Sequence, residues 1–194
     1  MQFNDYDGLP YRKSNRLSER DYTKPGQYFI TICTKDRNPF FGEIRNGFIG
    51  LKNPGCIVWK VWNKIPERFE SVMIESFIVM PNHAHGIIRI KDTGEKMQNT
   101  ADAMNRVLTE PEELNESGGV AKRKNPMLYK NHLGRVVRWF KGRCTREIRN
   151  LGINEFAWHP RYHDRIIRNK QELNRIKTYI NENPINWEDD IYYQ

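Results

Sequence analysis

The sequence predicts an α+β domain with a ferredoxin-like split βαβ arrangement, in which two helices back one antiparallel sheet. Two observations carry this prediction. Extended runs of β-branched and aromatic residues alternate with stretches of helical apolar spacing, in the order strand, helix, strand, strand, helix, strand, helix. The first six elements follow the order of the split βαβ motif. The seventh is an extra C-terminal helix, which is free to lie across the open face of the sheet.

The first four elements lie in the N-terminal half. They are a strand at residues 27–34, a helix at 55–69, and strands at 71–80 and 83–90. Pro54 fits the start of the helix, and Pro66 is expected to bend or end it. The dipeptide Pro81-Asn82 separates the two later strands and predicts a tight turn between them. These two strands are therefore expected to form a hairpin.

The C-terminal half supplies the remaining elements. They are a helix at residues 128–150, a strand at 162–167, and a helix that starts near Lys170 and ends before Pro184, since the residue before a proline disfavours helix. The length suits one domain. Its predicted parts are a polar arm at residues 1–26, the domain at 27–184 with a charged insertion at about 91–126, and a tail at 185–194.

The charge balance favours a polyanionic partner. Lysine and arginine number 32 against 24 acidic residues, for a net charge of +8, and such a field attracts nucleic acid. Cys33, Cys56 and Cys144 show no C-x-x-C spacing, which argues against a disulfide framework and a cysteine zinc site. Neither a secretory signal nor a membrane-length apolar run is evident. A cytoplasmic protein with no membrane partner is therefore expected.

The tripeptide His83-Ala84-His85 is the sharpest local feature. Residues two apart on a strand point to the same face, so the two imidazoles could share one metal ion. The flanking residues are apolar, and histidines at the rim of a buried strand are not needed for folding. The alternative is a pair of hydrogen-bonded histidines at a strand end.

Tyr179 and Asn183 lie four residues apart on the last predicted helix and share one face. A tyrosine hydroxyl can act as a nucleophile, and the carboxamide oxygen of asparagine can bind a hard cation. The alternative is a semi-buried aromatic followed by a helix cap. By pattern alone, three other tyrosines are equally good candidates: Tyr162, Tyr192 and Tyr193.

Basic residues cluster on one face of the helix at 128–150 and again after residue 157. Such side chains could neutralise phosphates, and an aromatic ring beside arginines can stack on an unpaired base. The alternatives are a solvated charged face and, for Trp158, an anchor at the entry of a strand. The candidate DNA-binding residues are Arg135, Arg138, Lys141, Arg143, Arg146, Trp158, Arg161 and Arg165.

Two regions together resemble the single-tyrosine HUH transposases. VMPNHAHGIIRI at residues 79–90 resembles the HUH motif, two histidines around a hydrophobic residue after a proline-containing turn. WHPRYHDRIIRN at 158–169, followed by YINENP at 179–184, resembles the C-terminal signature of that family. The similarity is greatest to the branch associated with repetitive extragenic palindromes, and residues 91–126 interrupt the match.

The resemblance implies a mechanism. His83 and His85 would hold Mg²⁺ or Mn²⁺, with Asn183 as a third ligand. Tyr179 would attack a DNA phosphate and leave a 5′-phosphotyrosine link and a free 3′-OH. The implied partner is single-stranded or hairpin DNA, and the protein would act as a monomer or a homodimer. Two other interpretations remain open, namely a metal-dependent hydrolase with a water nucleophile and a non-catalytic nucleic-acid-binding protein.

Overall fold

A computed structural model describes residues 25–92 and 133–193 of the chain. The first range contains β1 (Gly26–Cys33), β2 (Gly42–Arg45), β3 (Phe48–Leu51), α1 (Asn53–Asn63), α2 (Ile65–Arg68), β4 (Val72–Val79) and β5 (His83–Ile90). The second range contains α3 (Leu133–Arg149), β6 (His163–Ile167) and α4 (Lys170–Glu182). Short 3-10 turns occupy Lys35–Arg37 and Trp187–Asp189.

One sheet has the strand order β4-β5-β1-β6, and every neighbouring pair in it is antiparallel. With helices between β1 and β4 and between β5 and β6, this order confirms the predicted ferredoxin-like arrangement. The register between β1 and β5 pairs His83 with Cys33 and His85 with Thr31. β2 and β3 form a separate hairpin that the sequence analysis does not predict.

The two faces of the sheet are covered by different helices. On one face, β1 and β5 pack with α1 and α3 in the main core, whose members include Tyr28, Ile30, Ile88, Val58, Trp62, Val136 and Phe140. On the other face, α4 buries a smaller apolar cluster of Ile87, Ile167, Ile176 and Ile180. The alternation of Ile87 and Ile88 between these clusters is the period-two pattern of a strand. The last helix therefore lies across the open face, as predicted.

The helix and strand boundaries predicted from the sequence agree with the structure apart from local differences. β4 and β5 turn at Pro81-Asn82 as expected, and the Met80 N–H donates to the His83 carbonyl at 2.8 Å. The helix predicted at 55–69 is split into α1 and α2, and Pro66 lies in the first turn of α2, where its missing N–H costs no helical hydrogen bond.

Two predicted parts lie outside the described residues. These are the arm up to residue 24 and the stretch at 93–132, which holds most of the predicted insertion and the predicted start of the basic helix. Within the ranges that the structure describes, no helix is both long and apolar enough to cross a membrane.

Gly86 allows a close approach between β5 and the core. A Cβ atom at this position would lie 2.3 Å from Trp62 Cζ2 and 3.0 Å from Phe77 Cδ2. The two rings stack with centroids 4.1 Å apart, and Trp62 is buried, so neither can move aside easily. Gly86→Ala is therefore expected to lower the free energy of unfolding by about 1–3 kcal/mol through overpacking, as measured by urea denaturation.

Gly142→Ala on α3 is the matched control for this prediction. No atom lies within 4 Å of a Cβ built at Gly142. Alanine is favoured over glycine inside a helix, so this variant is expected to gain about 0.5–1 kcal/mol of stability. A Gly86→Ala protein as stable as the wild type would contradict the packing of Trp62 against β5.

Candidate active site

Two buried histidines lie at the start of β5. His83 and His85 are 0% and 1% exposed, and strand alternation turns both toward the face that α4 covers. Their Nε2 atoms are 2.9 Å apart. The histidines are predicted at the rim of a buried strand, but the chain after α4 covers the pair, with the Trp187 and Tyr192 rings centred 5.9 and 4.6 Å from the His83 ring.

Hydrogen bonds on the far side of each ring orient the two histidines. His83 Nδ1 lies 2.8 Å from Asn82 Oδ1, and Asn82 Nδ2 donates to the Tyr192 carbonyl at 2.8 Å. This use of the amide nitrogen leaves Asn82 Oδ1 as the acceptor of a hydrogen bond from His83 Nδ1–H. The proton of the neutral imidazole is then on Nδ1, so His83 Nε2 carries the lone pair. His85 Nδ1 lies 2.8 Å from Thr31 Oγ1. These contacts direct the two Nε2 atoms at each other.

Burial keeps both imidazoles neutral. It lowers the pKa of His83 well below its usual range, and the neighbouring His85 lowers it further. Burial also lowers the pKa of His85 to about 4, although the Asp190 carboxylate acts in the opposite direction. A neutral imidazole is the form that binds a metal ion. Both rings are therefore in their metal-binding protonation state at neutral pH.

Tyr179 reaches the histidines from α4. Its hydroxyl lies 3.2 Å from His85 Nε2, and its ring packs edge-on against Phe29. The residue as a whole is 41% exposed. Burial, and then the Asp190 carboxylate, raise the pKa of Tyr179. The phenol is therefore protonated at neutral pH and must lose its proton in any nucleophilic step.

Local interactions set the position of α4. Asn169 caps its start by accepting a hydrogen bond from the Glu172 N–H at 2.8 Å. Lys177 pairs with Glu75 of β4 at 2.9 Å. The apolar side of the helix faces the sheet. These contacts fix the rotation of the helix that places Tyr179 beside the histidines.

Asn183 lies at the C-cap position of α4 and is 2% exposed. Its Nδ2 donates to Asp190 Oδ2 at 2.7 Å. Its Oδ1 is buried and has no hydrogen-bond partner in the described structure. A buried carbonyl without a partner is costly, and a cation would satisfy it. The position of Asn183 therefore suits the predicted ligand role, which stays a prediction.

Sequence reasoning misses one residue of the site, Asp190. Ligand atoms of Asp190, His83 and His85 all lie within 4.8 Å of one another, and Asp190 Oδ2 is 3.3 Å from the Tyr179 hydroxyl. Asp190 follows the turn at Trp187–Asp189, so neither helical nor strand spacing connects it to the histidines. The sequence pattern at Asp190 is a run of acidic residues in a short tail. Such a run is by itself typical of a solvated surface.

The donor set fits a divalent cation. It offers two imidazole nitrogens, a carboxylate oxygen and a carboxamide oxygen that has no hydrogen-bond partner among the described residues. Two ligands at right angles around an ion, with bonds of about 2.0–2.1 Å, are separated by about 2.9 Å. The two Nε2 atoms of His83 and His85 have this separation. The structure thus brings together the four residues to which the resemblance assigns roles: His83, His85, Tyr179 and Asn183.

The basic helix α3 lies on the sheet face opposite the histidines. Arg138 and Arg146 are exposed there, and Arg143 pairs with Glu147. Arg135 is half-buried on the same helix.

Lys141 of α3 is tied to the loop before β6. Its Nζ donates to the carbonyls of His159 and Arg161 at 2.8 and 3.0 Å. Trp158 donates from Nε1 to the Lys141 carbonyl at 3.2 Å, and its ring contacts the aromatic core residues Phe41, Phe140 and Phe156. Trp158 thus anchors this loop, while Arg165 pairs with Glu172. DNA contact by any of these residues stays a prediction.

A solved structure shares the fold. The REP-associated tyrosine transposase bound to a REP hairpin matches with a TM-score of 0.54 and 17% identity, over 89% of this chain and 74% of that chain. A crystal structure of a Deinococcus radiodurans R1 protein, provisionally described as a transposase, has a TM-score of 0.42 and 13% identity, over 85% and 95% of the two chains. At such identities the first match establishes the fold alone, an α+β fold also found in a tyrosine transposase.

Sequence comparison identifies a relative of nearly the same length. An uncharacterized protein of Haemophilus influenzae is 33% identical over 186 residues, which span 96% of this chain and 95% of the relative. The chain belongs to the same family as this protein. No protein-family model matches the chain.

Proposed function

We propose that the protein cleaves and rejoins single-stranded DNA in a metal-dependent, transposase-like reaction with a 5′-phosphotyrosine intermediate. One observation carries this proposal: the Tyr179 hydroxyl lies 3.2 Å from Nε2 of His85, within a buried histidine pair. A phenol beside a candidate metal site suits nucleophilic attack on a phosphate. The fold shared with a tyrosine transposase supports the same function.

The proposed cofactor is Mg²⁺ or Mn²⁺, held by His83, His85 and Asn183. The neutral imidazoles support this assignment, as does the carboxamide oxygen, which has no hydrogen-bond partner in the part of the chain that the structure describes. When bound, the ion would polarise the scissile phosphate and stabilise the charge that develops on it. Asn82 and Thr31 would keep the two rings in the orientation that binding requires.

Tyr179 is the proposed nucleophile. Its phenol oxygen forms a bond to phosphorus and loses its proton, while the bond from phosphorus to the 3′ oxygen breaks and that oxygen takes up a proton. The downstream strand is then joined to the protein through its 5′ phosphate. Attack by a 3′-OH on the same phosphorus reverses these changes and joins strands, so the phosphodiester energy is conserved without a nucleotide cofactor.

The proposed site is complete within one chain. The nucleophile comes from α4 and the histidines come from β5 of the same molecule, with 3.2 Å between Tyr179 and His85. A monomer would therefore be competent for cleavage, and a homodimer would not be required to assemble the site.

The proposed partner is single-stranded DNA that carries a hairpin. A REP hairpin is the ligand of the transposase that shares the fold, and the net charge of +8 suits a polyanion. The proposed contact residues are the basic side chains of α3 and the segment that leads into β6: Arg135, Arg138, Lys141, Arg143, Arg146, Trp158, Arg161 and Arg165.

Binding of labelled hairpin DNA is expected to weaken with salt, because phosphate contacts release counterions. Arg138→Ala with Arg146→Ala should weaken binding and reduce the slope of log affinity against log salt by about 0.7 for each lost contact with a single strand. Fluorescence anisotropy at several salt concentrations measures both quantities.

Arg45→Ala is a control for the loss of a positive charge away from α3, because Arg45 pairs with Glu43 on the separate hairpin. It should leave the salt slope unchanged. An unchanged slope in the α3 variant would show that DNA does not contact this helix. Equal affinity for plain duplex of any sequence would identify a generic basic binder instead.

A further inference from the structure

The segment after α4 brings a carboxylate into the histidine pocket. The chain turns at Trp187–Asp189 and places a carboxylate oxygen of Asp190 within 4.8 Å of the histidine ligand atoms. Asp190 Oδ2 accepts hydrogen bonds from Asn183 Nδ2 at 2.7 Å and from the Tyr179 hydroxyl at 3.3 Å. The carboxylate thus contacts the two residues of α4 that the proposed reaction uses.

Contacts of the two residues that follow Asp190 hold this segment in place. The Arg37 guanidinium donates to the Ile191 carbonyl at 2.8 Å and lies over the Tyr192 ring. Asn82 Nδ2 donates to the Tyr192 carbonyl, and the Tyr192 N–H donates to Asp190 Oδ1 at 2.7 Å. Asn82 also orients His83. One side chain therefore couples the position of the carboxylate to that of an imidazole.

Several atoms that can offer lone pairs converge in the pocket. The two Nε2 atoms of His83 and His85 face each other at 2.9 Å, and Asn183 Oδ1 is buried with no hydrogen-bond partner in the described structure. The Asp190 carboxylate adds a negative charge to this group. Oxygen and nitrogen lone pairs that converge in a buried site are stabilised by a cation, whereas a further hydrogen-bond acceptor would be repelled.

We propose that Asp190 is an anionic ligand of the ion that His83 and His85 hold. The protein then supplies four donors, with Asn183 binding through Oδ1 and orienting the carboxylate through Nδ2. This inference rests on the proposed metal site. With Asp190 as a ligand, the segment after α4 becomes part of that site. This also explains why a site with two imidazoles would favour Mg²⁺ or Mn²⁺, because carboxylate and carboxamide oxygens shift the metal preference of the site toward hard cations.

Mn²⁺ binding without DNA tests the inference. In a titration followed by electron paramagnetic resonance, Asp190→Asn should weaken Mn²⁺ binding by about 100-fold or more, because loss of an outer-shell partner alone costs about 10–100-fold. Asp189→Asn removes the same charge from the adjacent exposed residue and should bind Mn²⁺ like the wild type. Thermal unfolding of each variant confirms that it is folded.

A soft-metal substitution reports ligation directly. Asp190→Cys should bind Cd²⁺ and gain the ultraviolet thiolate-to-cadmium absorption, whereas Asp189→Cys should not. The native cysteines supply the background in both variants.

The possible outcomes separate the inference from the function on which it rests. If Asp190→Asn binds Mn²⁺ like the wild type while His83→Ala with His85→Ala does not, the metal site stands and the role of Asp190 is overturned. If the histidine variant also binds normally, the proposed metal site itself fails. If Asp190→Asn binds Mn²⁺ normally and cleaves DNA faster, the carboxylate obstructs the site and is not a ligand.

Discussion

The double variant His83→Ala with His85→Ala is expected to lose Mn²⁺ binding and all detectable DNA cleavage. Both imidazole ligands disappear, so no ion would remain to stabilise charge on the phosphate. DNA binding should largely survive, because the proposed phosphate contacts lie on α3 and on the segment that leads into β6, and not in the pocket. Cleavage of labelled single-stranded DNA in Mg²⁺ or Mn²⁺ measures the loss.

Stability is the control for this variant. Because both rings are buried, their removal is expected to cost about 2–5 kcal/mol in cavity formation. His83→Leu with His85→Leu fills more of the space without offering a ligand, and it should fold and remain inactive. A folded double variant that cleaves at the wild-type rate in Mg²⁺ would place the metal site elsewhere.

Tyr179→Phe is expected to eliminate the covalent protein–DNA adduct while Mn²⁺ and DNA binding persist. Only the nucleophilic oxygen is lost, and removal of a covalent nucleophile closes that reaction path. The ring can still pack against Phe29, so stability should change by about 1 kcal/mol for one lost hydrogen bond. A denaturing protein gel with labelled DNA detects the adduct.

Three other tyrosines are controls, and Tyr192 is the most demanding of them. Its ring lies 4.6 Å from the His83 ring, so proximity to the histidines alone does not exclude it as a nucleophile. Tyr162→Phe, Tyr192→Phe and Tyr193→Phe should each leave the adduct intact. An adduct that survives in Tyr179→Phe and vanishes in Tyr192→Phe would show that the wrong tyrosine has been assigned.

Local periodicity explains how much of the fold the sequence predicts. The alternation around Ile87 and Ile88 marks a strand between two apolar layers, and both layers are present. The β2–β3 hairpin is not predicted, because its strands are four residues each and largely exposed, so they carry little apolar pattern. Short partly exposed strands depend on tertiary contacts that a sequence pattern does not contain.

Regular spacing along the chain also distinguishes the site residues that are predictable from the one that is not. His83 and His85 share a face because of strand spacing, and Tyr179 and Asn183 share a face because of helical spacing. Asp190 reaches the same pocket only because the chain reverses after α4, a path set by several weak tertiary contacts. The burial of the histidines is missed for the same reason, since the covering segment has no periodic signal.

A covalent bond between Tyr179 and DNA is tested most directly with end-labelled DNA. Wild-type protein is incubated with Mn²⁺ and a hairpin-bearing single strand that is labelled either at its 3′ end or at its 5′ end. A 5′-phosphotyrosine link retains the downstream fragment, so the 3′ label should migrate with the protein on a denaturing gel and the 5′ label should be released. DNA cleavage with neither label on the protein would contradict the formation of this bond and favour a hydrolase.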